Sequence, residues 1–499
     1  LPFSHTRTVS VPISTAMVVL NLSRYRSIAP VIIAPIDKKN NKKNMPPFIA
    51  PKKLFNNVNI GVLYTIVSAV LILLGTTIAI QYAKGGFRFT KKGFAPETGL
   101  LNANSFPTGS EVYIDGELVT ATDDTLYLKP GEYTVEIRKE GFSPWKKQLT
   151  IQQELVTQTN AQLFPTAPGL SPLTLTGVTT LTTSPDGQKV ILYTDSSQNI
   201  EKNGLYLLEL SNNFIPLQRA PKQITTDVPV LSLEKADFIW SPDSSELMIL
   251  TARKEMLIEV SGKVNLEAEQ DISWKRRQVL SEWESEMYQR EREFLKKYPE
   301  EIIHIATTSA KNVYLSPDKK RMLYTATGEV TLPEGIIPPL PASNTQPEQR
   351  SLISGGIYVY DREEDKNFQI GVETGTPSTV SKALLATDLF SSARSLETSP
   401  SAFTTLQATN SAETAKLFQA YYTSLPINTL QWFPDSKHIL FAKDQQIHIM
   451  EYDGTNNTVV YSGPFQENFV YPWPDGSKIL MLTSFSPDSP MNIYSVELK

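Results

Sequence analysis

The sequence predicts a mainly β protein: an N-terminal transmembrane helix, a small β domain, then a β-propeller of about five to seven blades with helical insertions. Three observations carry this. Residues 54–83 hold no charged side chain. From Leu101 to about Pro165 apolar and polar residues alternate with period two. Between positions 180 and 480 one short phrase, Pro-Asp between two apolar runs, appears five times. A phrase repeated at quasi-regular spacing is the mark of a repeat architecture.

The chain of 499 residues suggests about three domains, and its 40% apolar, 9% aromatic and 20% charged residues are those of a folded protein. It contains no cysteine, which excludes disulfides, thiolate metal sites and cysteine nucleophiles. Its four histidines, His5, His304, His438 and His448, are too scattered to suggest a metal cluster. Residues 1–53 carry nine Lys/Arg against the single acid Asp37, a net of +8. The whole chain is −5 and 54–83 is neutral, so the remainder is −13. A basic arm, a neutral stretch and an acidic body form the profile of a membrane-anchored protein. The acidic body argues against nucleic acid as a partner, because phosphate binding needs a basic surface.

Within the neutral stretch, Ile60–Ile80 reads IGVLYTIVSAVLILLGTTIAI. Twenty-one helical residues span about 31 Å, the thickness of a bilayer core. A cleaved signal would have a shorter apolar run and an A-x-A-like site, and Gln81-Tyr82-Ala83 is a poor one. Lys38, Lys39, Lys42, Lys43, Lys52 and Lys53 precede the segment; Lys84, Arg88, Lys91 and Lys92 follow it. That excess predicts a cytoplasmic N-terminus and a body outside the cytoplasm. The arm 1–53 is expected to be disordered, with Lys38–Lys53 as orientation signal and anionic-lipid contact. Met45 is a natural start, so residues 1–44 are expected to be either disordered or an over-extended gene start.

A tether over 84–100 leads to the small β domain at 101–165. Tyr133, Val135 and Ile137 face one way and Thr134, Glu136 and Arg138 the other. Asp115-Gly116 marks a hairpin turn and Pro130-Gly131 another. The run Pro107–Gly116 (PTGSEVYIDG), then Pro130-Gly131-Glu132-Tyr133-Thr134-Val135, then Gly141-Phe142, resembles a PEGA domain. The resemblance implies a small β-sandwich of the kind found in bacterial surface proteins, with no catalytic role.

The five phrases lie in the region 166–499: Ser184-Pro185-Asp186-Gly187, Ser241-Pro242-Asp243, Ser316-Pro317-Asp318, Phe433-Pro434-Asp435 and Trp473-Pro474-Asp475-Gly476. Proline presets φ, Asp caps the turn, and Gly or a small polar residue takes the corner. Strand-like runs follow at Val190–Tyr193, Leu247–Leu250, Met322–Tyr324, Ile439–Phe441 and Ile479–Leu482. Third strands are expected at Gly204–Leu210, Gly356–Tyr360, Gln446–Glu451 and Met491–Leu498. Such hairpins with a third or fourth strand describe propeller blades. The interval between the third and fourth phrases has room for one unmarked blade. Phrases and strands together resemble the TolB-like, WD-repeat-like propellers. That resemblance implies a binding platform, and it transfers no site residue.

Three insertions interrupt the blades. A helix is expected at about 271–299, with Leu280, Trp283, Met287, Phe294 and Tyr298 at helical spacing and Pro299 after its end. Its stripe either packs on the propeller or docks a partner through Trp283, Met287 and Phe294. A Pro-rich stretch, 331–350, reads as an exposed loop. A Ser/Thr-rich insertion is expected at 375–411, with a short helix at Ala412–Leu425 beyond it.

No G-x-S-x-G, H-E-x-x-H or G-x-x-x-x-G-K-[ST] pattern occurs, and the Ca²⁺-loop spacing is absent. No cofactor and no metal are expected. The expected function is a non-enzymatic, membrane-anchored scaffold of the bacterial cell envelope whose propeller binds protein, peptide or glycan. The alternative is a propeller-channel hydrolase or lyase acting on glycan or peptide through carboxylates or a bound Ca²⁺.

Overall fold

A computed structural model describes residues 60–83, 89–90, 93–94, 98–373 and 430–499, with short gaps at 198, 211–219, 339, 341–343, 468 and 487–488. The basic arm, most of the tether, the Ser/Thr-rich insertion and the helix expected at Ala412–Leu425 lie outside the described residues.

Helix α1 spans Ile60–Ala83. It contains no charge, and Ser68 satisfies its hydroxyl by donating to the Tyr64 carbonyl at 2.6 Å. A polar group settled within its own helix is what a lipid environment requires.

Two larger sheets form the small domain, with a short parallel pair, Ser105–Phe106 and Ala161–Gln162, beside them. One is antiparallel, in the order Glu117–Ala121, Glu111–Ile114, Gly131–Arg138, Trp145–Ile151. The other places Gly99–Ala103 between Val156–Gln158, which runs parallel to it, and Asp124–Leu128, which runs antiparallel. Asp115 and Gly116 turn the first hairpin at φ 51° and 88°, the left-handed pair that a two-residue hairpin needs. Inward residues Leu101, Val112, Val135, Ile137, Trp145 and Ile151 make the core. The domain starts slightly earlier than its alternation suggests, because Gly99 and Leu100 already pair with Leu128 and Tyr127.

Five larger sheets are the blades of a β-propeller, each turning from its first strand to its second at a Pro-Asp corner. Blade 1 runs Thr180–Thr183, Lys189–Thr194, Gly204–Glu209, Lys222–Thr226; blade 2 runs Asp237–Trp240, Glu246–Leu250, Glu255–Glu259. Blade 3 runs Ala310–Leu315, Arg321–Ala326, Gly356–Asp361, Lys366–Val372; blade 4 runs Gln431–Trp432, His438–Lys443, Gln446–Glu451, Thr458–Ser462. Blade 5 takes Val470–Pro472, Lys478–Thr483 and Asn492–Glu497, then receives Leu170–Pro172 as its outer strand. Five blades are therefore present among the described residues.

Period two explains why one blade packs on two neighbours. In blade 1, Ile191 and Tyr193 face blade 2 with Phe238, Trp240 and Leu247. The alternate residues Val190 and Leu192 face blade 5 with Leu480 and Ile493. Blade 5 then meets blade 4 through Ile479, Met481, Leu440 and Ile449. Blade 4 meets blade 3 through Ile439, Met450, Leu323 and Val359. The described blades 3 and 4 touch directly; the room for an unmarked blade between the third and fourth phrases falls largely on 374–429, outside the described residues.

Helices fill the place between blades 2 and 3. Helix α2, Arg276–Leu295, seats Val279, Leu280 and Trp283 on Ile239 and Met248 of blade 2. Helix α3, Glu300–Thr308, seats Ile302, Ile305 and Ala306 on Met322, Tyr324 and Tyr358 of blade 3. The insertion thus runs past the expected 271–299. Pro299 stands just before the first residue of α3, a position where the missing N–H costs nothing.

Candidate functional site

The Pro-Asp corners are alike at atomic level. The residue after each Asp has a left-handed φ: Gly187 at 72°, Ser244 at 61°, Lys319 at 61°, Ser436 at 61° and Gly476 at 68°. Lys319 shows that the corner takes a long cation as well as a small residue. Each carboxylate accepts a backbone N–H two residues on: Asp186 from Gln188, Asp243 from Ser245, Asp318 from Lys320, Asp435 from Lys437 and Asp475 from Ser477, at 2.8–3.1 Å. In blades 1 to 3 the serine two residues earlier also donates, at 2.5–2.6 Å. Pro185, Pro242, Pro317, Pro434 and Pro474 open these turns. Among the described residues no group of three or more His, Asp or Glu is placed to hold a metal ion.

Corners also join blades. The Asp186 N–H donates to Ser244 Oγ at 3.2 Å, and the Asp318 N–H to Ser436 Oγ at 3.0 Å. Blade 2 has helix α2 as its neighbour instead, and Arg290 donates to the Pro242 carbonyl at 3.1 Å. Of the three stripe residues, Trp283 is buried on blade 2 and Met287 packs against the same cluster. Phe294 lies under the ammonium groups of Lys319 (5.0 Å) and Lys297 (5.6 Å).

The densest polar cluster joins the small domain to blades 3 and 4. The strand Trp145–Ile151 delivers Lys147, whose ammonium reaches Asp453 Oδ2 at 2.5 Å and also pairs with Glu451. Trp145 donates its indole N–H to Glu451, and the Lys146 N–H donates to Asn456 Oδ1 at 2.8 Å. Asn344, from the Pro-rich stretch, donates to Asp453 Oδ2 at 2.8 Å and to the Tyr452 hydroxyl at 3.0 Å. Arg321 of blade 3 lies 4.1 Å over the Tyr452 ring, with Asp361 at 2.7 Å. Thr345 and Gln346 reach the Gln148 carbonyl, the latter at 2.7 Å. Leu332 is buried. The stretch 331–350, expected as an exposed loop, is therefore in part a clasp between domains.

Burial shapes this seam. It disfavours the Lys147 ammonium, but Glu451 and Asp453 outweigh it and hold the pKa above the ordinary lysine value. Burial would raise Asp453; the Lys147 charge and the Asn344 hydrogen bond reverse that and lower it. Nearby, His438 is bonded to Asp435 at 2.6 Å and meets Phe164 edge-on, with ring centroids 5.4 Å apart. Burial opposes its imidazolium, yet Asp435 prevails and raises its pKa. Lys147, Glu451, Asp453 and His438 escape a motif search because they are single polar residues on strands and a turn.

Residues 98–167 match the sequence profile of the PEGA domain. They are a PEGA domain. The seam thus ties the PEGA domain to the propeller. A comparison with curated protein sequences returned no match. Solved structures similar to the chain include a putative TolB from Agrobacterium tumefaciens (14% identity, 67% of this chain and 79% of that one, TM-score 0.20). TolB from Acinetobacter baumannii is also similar (10%, 74% and 60%, TM-score 0.19). A third is an auxiliary nutrient binding protein from Bacteroides thetaiotaomicron (9%, 77% and 78%, TM-score 0.18). The propeller itself rests on the blades and corners described above.

Proposed function

We propose that this chain is a single-pass envelope protein. On this reading α1 anchors it, the N-terminus is cytoplasmic, and the PEGA domain and propeller stand outside, the propeller serving as a binding scaffold for protein, peptide or glycan, without catalysis. The observation that carries the reading is the surface of α1. Over Leu63–Ile80 the mean hydropathy is 2.3 and none of that window is buried against protein. Water is a poor solvent for such a surface, and lipid is a good one. The engagement of every corner carboxylate in its own turn supports scaffold over reaction chemistry.

The absence of cysteine makes the test clean. Lys443→Cys, at an exposed strand end, introduces the one thiol in the chain. An impermeant maleimide should label it on intact cells, and the protein should stay in the membrane after a carbonate wash. Labelling only after permeabilisation would overturn the orientation; release by carbonate would overturn the anchor.

A further inference from the structure

We propose that the outer strand of the PEGA domain, Glu117–Ala121, is a strand-addition site for an extended segment of a partner protein, apolar at its centre and basic at its flanks. This goes beyond the scaffold reading, because it places a contact on the small domain rather than on the propeller.

The sheet order fixes the geometry. Trp145–Ile151, at one edge, is the strand that carries Lys147 into the seam; Glu117–Ala121 is the opposite edge and, among the described residues, pairs only with Glu111–Ile114. Asp115-Gly116 makes a two-residue hairpin, so Ile114 and Glu117 exchange the first pair of bonds. The next pair, Tyr113 and Leu118, is the non-bonded one in an antiparallel ladder. Leu118 therefore turns its N–H and C=O away from the sheet. An irregularity follows between Val112 and Tyr113, which leaves Val119 as the extra residue.

The side chains agree with the backbone. Glu117, Leu118, Val119 and Ala121 are all exposed, Leu118 at 59% and Val119 at 48%. Natural edges of this kind are commonly guarded by lysine, proline or a bulge; this strand has no lysine or proline, and its bulge, at Val119, follows the outward-facing Leu118. An open edge with apolar side chains is the surface that β-augmentation uses. The molecule already completes a sheet this way, since Leu170–Pro172 is added to blade 5 from a distant part of the chain.

Charge selects the occupant. The segment Glu117–Asp124 (ELVTATDD) has three acids and no base, with Glu117 at one end and Asp123 and Asp124 at the other. A second copy pairing antiparallel on this strand would bring acid toward acid. A segment with Lys or Arg at its ends would meet both acidic ends, and its apolar centre would cover Leu118 and Val119.

The test is amide hydrogen exchange on the full chain in detergent, with alternating valine–threonine peptides that end in lysine or in glutamate. At about 1 mM, roughly ten times a Kd of about 0.1 mM, the lysine-ended peptides should slow exchange at Leu118 about tenfold, and the glutamate-ended ones should not. Leu118→Pro removes the outward donor without a ladder bond; as it leaves no amide at that position, it is read by polarisation of a fluorescein-labelled lysine-ended peptide, whose binding it should abolish. Val119→Lys, a second variant, should weaken it by like charge. No protection at Leu118 with either peptide would overturn the proposal. Equal protection by both would overturn its charge selectivity. Concentration-dependent protection without peptide would assign the edge to a second copy instead.

Discussion

Lys147 is a small-domain residue whose charge is balanced only by the propeller. Its side chain is 9% exposed and that of Asp453 is fully buried, so neither charge has water as an alternative partner. Removing one member of such a pair strands the other, at a cost of about 3–5 kcal/mol. Lys147→Ala should therefore lower the stability of the body by roughly that amount in chemical denaturation. The pair also has a pH signature. Asp453 has a folded pKa below its unfolded value, so its contribution is present above the ordinary carboxyl range and is lost as pH falls through the depressed value. His438 has the opposite sign. Its folded pKa is raised, so its contribution is complete below the unfolded histidine value and is lost as pH rises through the folded one. His438→Gln should flatten the alkaline side of a stability–pH curve and, on the acid side, remove the part that Asp435 contributes through His438 while the part due to Asp453 stays.

At the scale of elements, the corners are the working parts, and their neighbours set the cost of changing them. A Cβ at Gly476 would stand 2.8 Å from Phe433 Cε1, whereas at Gly109, also left-handed, nothing lies within 4 Å. Both Gly→Ala changes strain the backbone. Gly476→Ala should cost about 1–3 kcal/mol more through overpacking, a difference that urea melts of the two variants would resolve. These corners and their strands were legible because a turn is a local matter: five residues fix Ser184–Gln188, whatever lies around them. Helix α3 was hidden because a proline reads equally as the end of one helix and the start of the next. The seam was hidden for another reason. Lys147 and Asp453 lie 306 residues apart, and in sequence each is an ordinary strand or turn residue. The clasp from 331–350 was obscured by its prolines, which signal a loop but not what the loop touches.

For the whole molecule, the seam and the blade contacts should make the PEGA domain and the propeller unfold as one cooperative unit. A single calorimetric transition is expected for the native body, and two for Lys147→Ala, where the small domain is uncoupled. If Lys147→Ala still melted in one step at the native temperature, the seam would not be the coupling element. The strand Leu170–Pro172 adds a condition on timing. Ser171 and its partner Ser495 are 324 residues apart, and blade 5 lacks its outer strand until both exist. During synthesis, a chain emerging from its N-terminus must hold that strand unpaired while all of the other blades are made. Closing a loop of that length comes late and slowly. A chain built this way needs protection of its unfinished propeller for the duration of its own translation, so its assembly should depend on a chaperone far more than its finished stability would suggest.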